Sequence, residues 1–407
     1  MKHGDNKLSR RDLLAVAGGV AFVRTASGEN VQVAATTADV PTDPTKVPGA
    51  PAGPLGARSA FEQPTRRAFG GAVSFTPLQD LHGTITPADL HFERHHAGIP
   101  TIDPDRYELL IHGMVERPLK FSLAELKRFP ATTRICFIEC SGNLSMWAKG
   151  KTTPQSLAGL TSQSEWTGVS LATLFREVGI KPKASWFLAE GSDAAVMTRS
   201  IPVSKAYDDA LIAYAQNGEA IRPAQGYPAR LLLPGWEGNT SVKWLRRIEL
   251  SDGPFQTREE TSKYSDSLKD GKIRQFSFVM DARSLITFPA YPVSIEPGWI
   301  EIRGLAWTGR GRITGVDVST DAGKTWTPAA RQEPVMSKAH TRFRHLWNWD
   351  GRATTILSRA RDETGYIQPT RAQLEAARGT PQGPFEYHYN PVTGWQIGTD
   401  GVVLLQT

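Results

Sequence analysis

The apolar pattern changes character near Ser284, and that change constrains the fold more than any other feature of the chain. Between Asp105 and Leu285, strand-like runs (YELLIHG, RICFIEC, SWFLAEG, ARLLLPG, KWLRRIEL) alternate with helix-like pieces such as SLAELKRF and SLATLFREVG, headed by Ser122 and Ser170 as N-caps. This half predicts a mixed α/β core. After Ser284 the runs WIEIRGLAWTG, RITGVDVSTDAGKTW, HLWNWD and TILSRARDETG alternate between Gly, Asp and Asn turns, and no helix is expected before Arg371 to Arg378. Short strands at that spacing predict an immunoglobulin-like β-sandwich. GVDVSTDAGKTW sets Val316 and Val318 on one face ahead of a DAG turn, a hairpin signal, and Trp307, Trp326, Trp347 and Trp349 are expected to supply much of the sandwich core. The expected class is α+β, with a first domain over 66–284 and a second over 285–407.

A chain of 407 residues exceeds the ~100 to 200 that one ordinary core holds, which agrees with two domains. Hydrophobic residues at 40% and charged residues at 22% exclude intrinsic disorder and a membrane bundle. At the N-terminus, SRRDLL precedes the apolar stretch Leu13 to Val23, whose 11 residues fall short of the ~20 a bilayer span needs. Residues 1–35 therefore predict a twin-arginine export signal and a periplasmic product. Twin-arginine export carries folded proteins, which points to a cofactor inserted before export. The Pro- and Gly-rich stretch 36–65 is expected to be an extended lead-in. Of the net charge of +6, the first 35 residues contribute five basic and three acidic groups, leaving +4 on the remainder. So small an excess is no nucleic-acid footprint, although it suits anionic substrates or acidic partners. Cys136 and Cys140 are the only cysteines, so disulfides are not the scaffold.

The stretch most informative about chemistry is RICFIECSGN, a strand-like run ending at Cys140 before Ser141, Gly142 and Asn143. A thiolate there suits a soft metal ion or a nucleophile, and a buried small hydrophobe is the plain alternative. HFERHHAGIP offers His91, Glu93, Arg94, His95 and His96. His91 and His95 allow a zinc or iron reading, Arg94 beside two histidines makes a small-anion site, and a solvated loop is the third possibility. QGYPARLLLPGWEGNTSVKWLRRIEL presents Gln225, Arg230 and Lys243 around an apolar strand; its GWEG turn alone is weak grounds for phosphate binding.

The succession of RHHAGIP, ECSGN, GYPARLLLPGWEGNTSVKWLRRIEL, REETSKY and GLAWTGRGRITGVDVSTDAGKTW resembles the sulfite oxidase family of molybdenum enzymes over residues 85 to 400, most closely the molybdenum subunits of bacterial sulfite or sulfane dehydrogenases. The resemblance implies a molybdopterin-binding oxidoreductase domain followed by a dimerisation sandwich. By the same resemblance Cys140 is the protein thiolate on molybdenum, Arg94 binds substrate, His96 contacts the pterin, Arg230 and Lys243 serve the cofactor's phosphate and pterin, and Tyr264 is the active-site tyrosine. Asp193 and Ser200 fall in the stretch that lines the cofactor. Gln225 stands where many animal members carry a pterin-contacting histidine, and glutamine cannot be protonated. Cys136 matches no family ligand and is expected to be a buried thiol; His95 is unassigned.

The implied activity is oxidation of sulfite or of carrier-bound sulfane sulfur with one molybdopterin per molybdenum, and the residues leave the choice between those substrates open. No haem-binding C-x-x-C-H, iron–sulfur cysteine set or flavin fingerprint is present in the sequence, so the expected electron acceptor is a separate c-type cytochrome subunit. A homodimer through the C-terminal domain is expected. The alternatives are a methionine sulfoxide reductase of the same superfamily, whose members generally lack the sandwich and the matching tyrosine, and an exported binding module.

Overall fold

The computed structural model describes residues 51–143, 148–380 and 388–406. Contacts divide the chain into Met1–Glu62 and Gln63–Thr407. In the first unit, residues 51–62 are exposed and form no helix or strand; the expected export signal lies outside the described residues.

Two five-stranded sheets, one mixed and one antiparallel, build most of the N-terminal half of the second unit. One runs Leu119–Ser122, Glu108–Gly113, Leu245–Ser251, Trp186–Gly191, Thr198–Pro202, and only Glu108–Gly113 and Leu245–Ser251 are parallel. The other runs Glu219–Ala220, Leu211–Gln216, Thr161–Ser170, Ala131–Glu139, with Arg230–Leu232 also paired to Leu211–Gln216. Leu109, Ile111, Val169, Phe175, Phe187 and Leu231 pack into one core shared by both sheets. The five strand-like runs of the sequence all appear as strands, whereas the helices are short. Leu123–Leu126 is one turn, closed by a Ser122–Glu125 capping box and followed by Phe129 and Pro130, whose ring disfavours continuation. Leu171–Val178 stops at Gly179, at φ 66 in the left-handed region, and Ser170 sits at its N-cap without a side-chain cap bond. The half expected to be mixed α/β is therefore mostly sheet among the described residues.

From Arg283 onward two antiparallel sheets face each other. The first is Arg283–Phe288, Gly298–Trp307, Thr341–Trp349, Ala330–Arg331; the second is Thr327–Pro328, Ile313–Ser319, Thr354–Asp362, Gly394–Ile397, Val403–Leu405. Leu285, Ile302 and Leu305 from one and Val316, Ile356 and Trp395 from the other belong to one core. Each such side chain taken out of water contributes about 1.5–3 kcal/mol. The hairpin after Val318 and the helix Arg371–Arg378 lie where the sequence puts them. Trp307 and Trp349 are buried and Trp347 packs against the same core, but Trp326 lies under the Arg359 guanidinium, 4.3 Å from its ring centroid, on the outside. Its place is taken by Trp395, fully buried with its N–H donated to the Ile286 carbonyl at 3.0 Å.

The two halves meet at Glu139, the last residue of its strand, which is wholly buried. Its carboxylate accepts from Arg283 Nη1 at 2.5 Å, Trp307 Nε1 at 2.7 Å and Asn143 Nδ2 at 2.9 Å. Burial pushes this carboxyl up, but Arg283 and His388 hold it down at about 2. Replacing one member of such a pair leaves the other charge stranded. Arg283→Met is expected to cost about 3–5 kcal/mol in denaturant unfolding, and Glu139→Gln added to it to recover most of that loss.

Candidate active site

A cleft of about 670 Å³ opens beside the end of the Ala131–Glu139 strand. Its walls come from segments far apart in sequence: His91–His96, the Cys140 turn, Asp193 with Met197, the stretch from Gln225 to Trp244, and Tyr264. Cys140 is anchored by its own N–H to the Leu160 carbonyl at 2.9 Å, and the turn closes by Asn143 N–H to the Cys140 carbonyl at 2.9 Å. The thiol faces the cleft, and burial raises its pKa, so a metal ion would have to displace its proton. Cys136 is buried four residues earlier, in the strand, and is likewise a free thiol, pushed up to about 12 by burial.

The arginine segment is held at both ends of a short stretch: Phe92 N–H donates to Ser162 Oγ in the strand Thr161–Ser170 at 2.9 Å, and Glu93–Arg94 pairs with Val73 and Ser74 in a small three-stranded sheet. Arg94 reaches the cleft with one guanidinium nitrogen turned to the His95 carbonyl. His96 lies opposite Tyr264, whose hydroxyl is 3.4 Å from His96 Nε2. Loss of water and the nearby Arg94 charge pull His96 below its ordinary pKa, and burial raises that of Tyr264, so the phenol stays protonated. Asp193 lines the cleft, and one of its carboxylate oxygens accepts from Met197 N–H at 3.2 Å.

Gly226, at φ 111, makes the turn that brings Gln225, Arg230 and Lys243 together; a Cβ there would lie 3.1 Å from the Cβ atoms of Arg230 and Lys243. Gln225 donates to the Phe92 carbonyl at 2.8 Å. Arg230 donates to the Gln225 and Ser241 carbonyls at 2.9 and 2.7 Å, and burial draws it down to about 9. Lys243 departs most from expectation. Its ammonium donates to the Arg94 carbonyl at 3.1 Å, the Ala224 carbonyl at 3.0 Å and His95 Nδ1 at 2.9 Å, which uses all three of its hydrogens inside the protein. His95 Nε2 in turn stands 3.2 Å from Glu93, which also pairs with Arg66. His95, unassigned by sequence, is thus the link between Lys243 and Glu93. Burial and the Arg230 charge lower Lys243 to about 7.

Ser200 does not reach the cleft. It is buried in its strand, accepting from Phe255 N–H at 3.0 Å while its own N–H donates to Glu260. Its neighbour Arg199, not singled out by sequence, turns toward Tyr264 instead. Arg199 and Ser200 are successive strand residues and so project to opposite faces, both of them buried, which leaves no exposure pattern in the sequence to tell them apart.

The residues present fit a molybdopterin. A soft sulfur faces a cleft lined by Arg94, Arg230 and Lys243, which suits an anionic, thiolate-bound group. His91 is also left with an unpartnered, buried Nε2 on this cleft. Its Nδ1 is 3.0 Å from the Phe92 carbonyl and burial lowers its pKa to about 3, so the ring is neutral and Nε2 is an acceptor for an N–H such as a pterin carries. A zinc or iron site on His91 and His95 finds no support, because no group of three His, Cys, Asp or Glu converges among the described residues.

Comparison with known proteins agrees with this geometry. Residues 96–259 match the model of the oxidoreductase molybdopterin binding domain, and 274–388 that of the Mo-co oxidoreductase dimerisation domain. Sulfite oxidase of Gallus gallus is 30% identical over 313 residues, covering 70% of this chain and 68% of that protein. The chain belongs to the sulfite oxidase family. NADH nitrate reductase of Ulva prolifera is 29% identical over 331 residues, covering 70% of this chain but only 38% of that protein's length. The crystal structure of the sulfane dehydrogenase SoxCD from Paracoccus pantotrophus superposes with a TM-score of 0.85 at 43% identity, covering 89% of this chain and 97% of that one.

If Lys243 serves mainly to clip the arginine segment, Lys243→Met will cost about 2–3 kcal/mol in urea unfolding even of cofactor-free protein. A side chain that served only the cofactor would show no loss there.

Proposed function

We propose that this protein is a molybdenum-dependent dehydrogenase that oxidises sulfite or carrier-bound sulfane sulfur and passes the electrons to a c-type cytochrome in the periplasm. The observation that carries this reading is the convergence of Arg94, Tyr264 and Cys140 on one cleft in a sulfite oxidase family chain. The likeness to a sulfane dehydrogenase supports a sulfur substrate, and the SRRDLL sequence supports export. The dimerisation-domain match supports a homodimer through residues 285–407.

Molybdopterin, held by Cys140 with Arg230, Gln225 and His91 around it, would supply the two-electron, oxygen-transferring chemistry. The protein's own part is binding and orientation. Arg94 offers a planar pair of donors to an oxyanion and so fixes which face of the sulfur meets the reacting centre. Tyr264, kept neutral by burial, donates a hydrogen bond to developing negative charge without adding charge of its own. His96, 3.4 Å from that phenol and low in pKa, is a neutral acceptor able to take a proton when water enters the site.

Cys140→Ser is expected to leave the far-ultraviolet circular dichroism unchanged while molybdenum content and turnover fall to background; retained metal would overturn the ligand assignment. Arg94→Gln is expected to raise the KM for sulfite roughly 10- to 100-fold, the size of a lost charge-assisted contact, with little change in melting temperature. Sulfite-dependent reduction of cytochrome c, with metal analysis of the same sample, tests the activity. Rapid reduction at one molybdenum per chain supports free sulfite, and full metal with slow reduction supports the carrier-bound substrate.

A further inference from the structure

Arg199 is the largest charged side chain near the cleft to which no family role has been given, and it is 1% exposed. A buried guanidinium needs partners inside the protein, and two bonds hold this one. Its Nε donates to Glu260 Oε1 at 2.9 Å, and Nη1 donates to Asn239 Oδ1. Glu260 is itself wholly buried and its other oxygen accepts from Thr257 N–H at 3.0 Å, closing the capping box of the helix Arg258–Ser262. Asn239 is fixed from its other end, donating to Glu237 at 3.0 Å and Ser141 Oγ at 3.3 Å. The guanidinium plane therefore has one orientation available.

In that orientation the Arg199 Cζ lies 5.1 Å from the centroid of the Tyr264 ring, with the Phe278 ring 5.7 Å away. Tyr264 follows the capped helix directly, its N–H donating to the Glu259 carbonyl at 2.8 Å. One carboxylate, Glu260, thus fixes both the helix that carries the tyrosine and the cation that its ring rests on. We propose that Arg199 is a positioning residue, whose guanidinium holds the Tyr264 ring so that the hydroxyl stays beside His96 and over the substrate position. This rests on the reading of Tyr264 as the active-site tyrosine.

The holoenzyme, assayed with sulfite and a one-electron acceptor, separates positioning from mere support. Arg199→Lys keeps the charge opposite Glu260 but not the flat face, and is expected to lower kcat roughly tenfold with KM changed less than about twofold. Arg199→Met with Glu260→Gln removes both buried charges together, guards against misfolding of either single variant, and is expected to lower kcat at least as far. In a Tyr264→Phe background, where the hydroxyl to be positioned is gone, both changes are expected to have little further effect on kcat. An equal loss in the two backgrounds would overturn the role of Arg199 while leaving the site intact, as would a loss of stability with kcat unchanged. Full activity of Tyr264→Phe alone would instead remove Tyr264 from the site, and the positioning role with it.

Discussion

A carboxylate with no access to solvent stands directly before the cysteine that faces the cleft, and much of the molecule is arranged to satisfy it. Glu139 takes one partner from its own turn, Asn143, and two from the C-terminal half, Arg283 and Trp307. Isolated at that depth, its charge would cost several kcal/mol, so the Cys140 turn is settled only when the sandwich is docked. Asn143 extends the same constraint: its side-chain amide donates to Glu139 and its oxygen accepts from Leu160 N–H at 2.9 Å, pinning both sides of the turn. Farther along the contact, His340 stacks on Phe137 at 5.8 Å and meets Thr161 Oγ1 at 3.0 Å, while Lys338 pairs with Asp209 at 2.6 Å. The C-terminal sheets are therefore part of the support of the cleft as well as a separate layer.

Such contacts explain what was legible in the sequence and what was not. Strands such as Glu108–Gly113 and Leu245–Ser251 were readable because their apolar period is set by a single buried face. The run Thr161–Ser164 was opaque, since four polar side chains in a row suggest a loop, yet all are buried. They are buried because each meets a polar partner from elsewhere, as Ser162 meets Phe92 N–H and Thr161 meets His340. Of the two helix-like pieces, SLATLFREVG forms Leu171–Val178 between Ser170 and Gly179 as its spacing indicates, whereas SLAELKRF yields only Leu123–Leu126 ahead of Pro130. Trp326 and Trp395 show the limit of composition, because a hairpin edge and a central strand carry the same residue type to opposite environments.

The site was legible to the extent that it resembled a family. Cys140, Arg94, His96, Asp193, Gln225, Arg230, Lys243 and Tyr264 all line one cleft, although they span more than 150 residues of sequence. What a motif does not transmit is how each side chain spends its hydrogen bonds. Lys243 and His95 become intelligible only when three backbone turns are superposed in space, and Arg199 only when Glu260 and Asn239 are seen on either side of it. The resemblance implies a cofactor-lining stretch that includes Ser200, but in a strand successive residues face opposite ways and Ser200 points away from the cleft.

A glutamine at position 225 suits the crowding of positive charge around it. Burial draws Arg230 down to about 9, and burial together with the Arg230 charge draws Lys243 down to about 7. Another protonatable group between them and Arg94 would meet like charges on every side and so be held neutral. An amide keeps the geometry, donating to the Phe92 carbonyl at 2.8 Å while its own backbone carbonyl receives Arg230 at 2.9 Å, without adding to the repulsion. The accumulated positive field is then relieved by an anion. A phosphate-bearing group entering the cleft draws both cations back toward their ordinary pKa values, so its affinity and the protonation of Lys243 are linked. Lys243 would thereby favour a bound anion even though its three hydrogens are already committed, since a charge acts across the cleft without a direct bond.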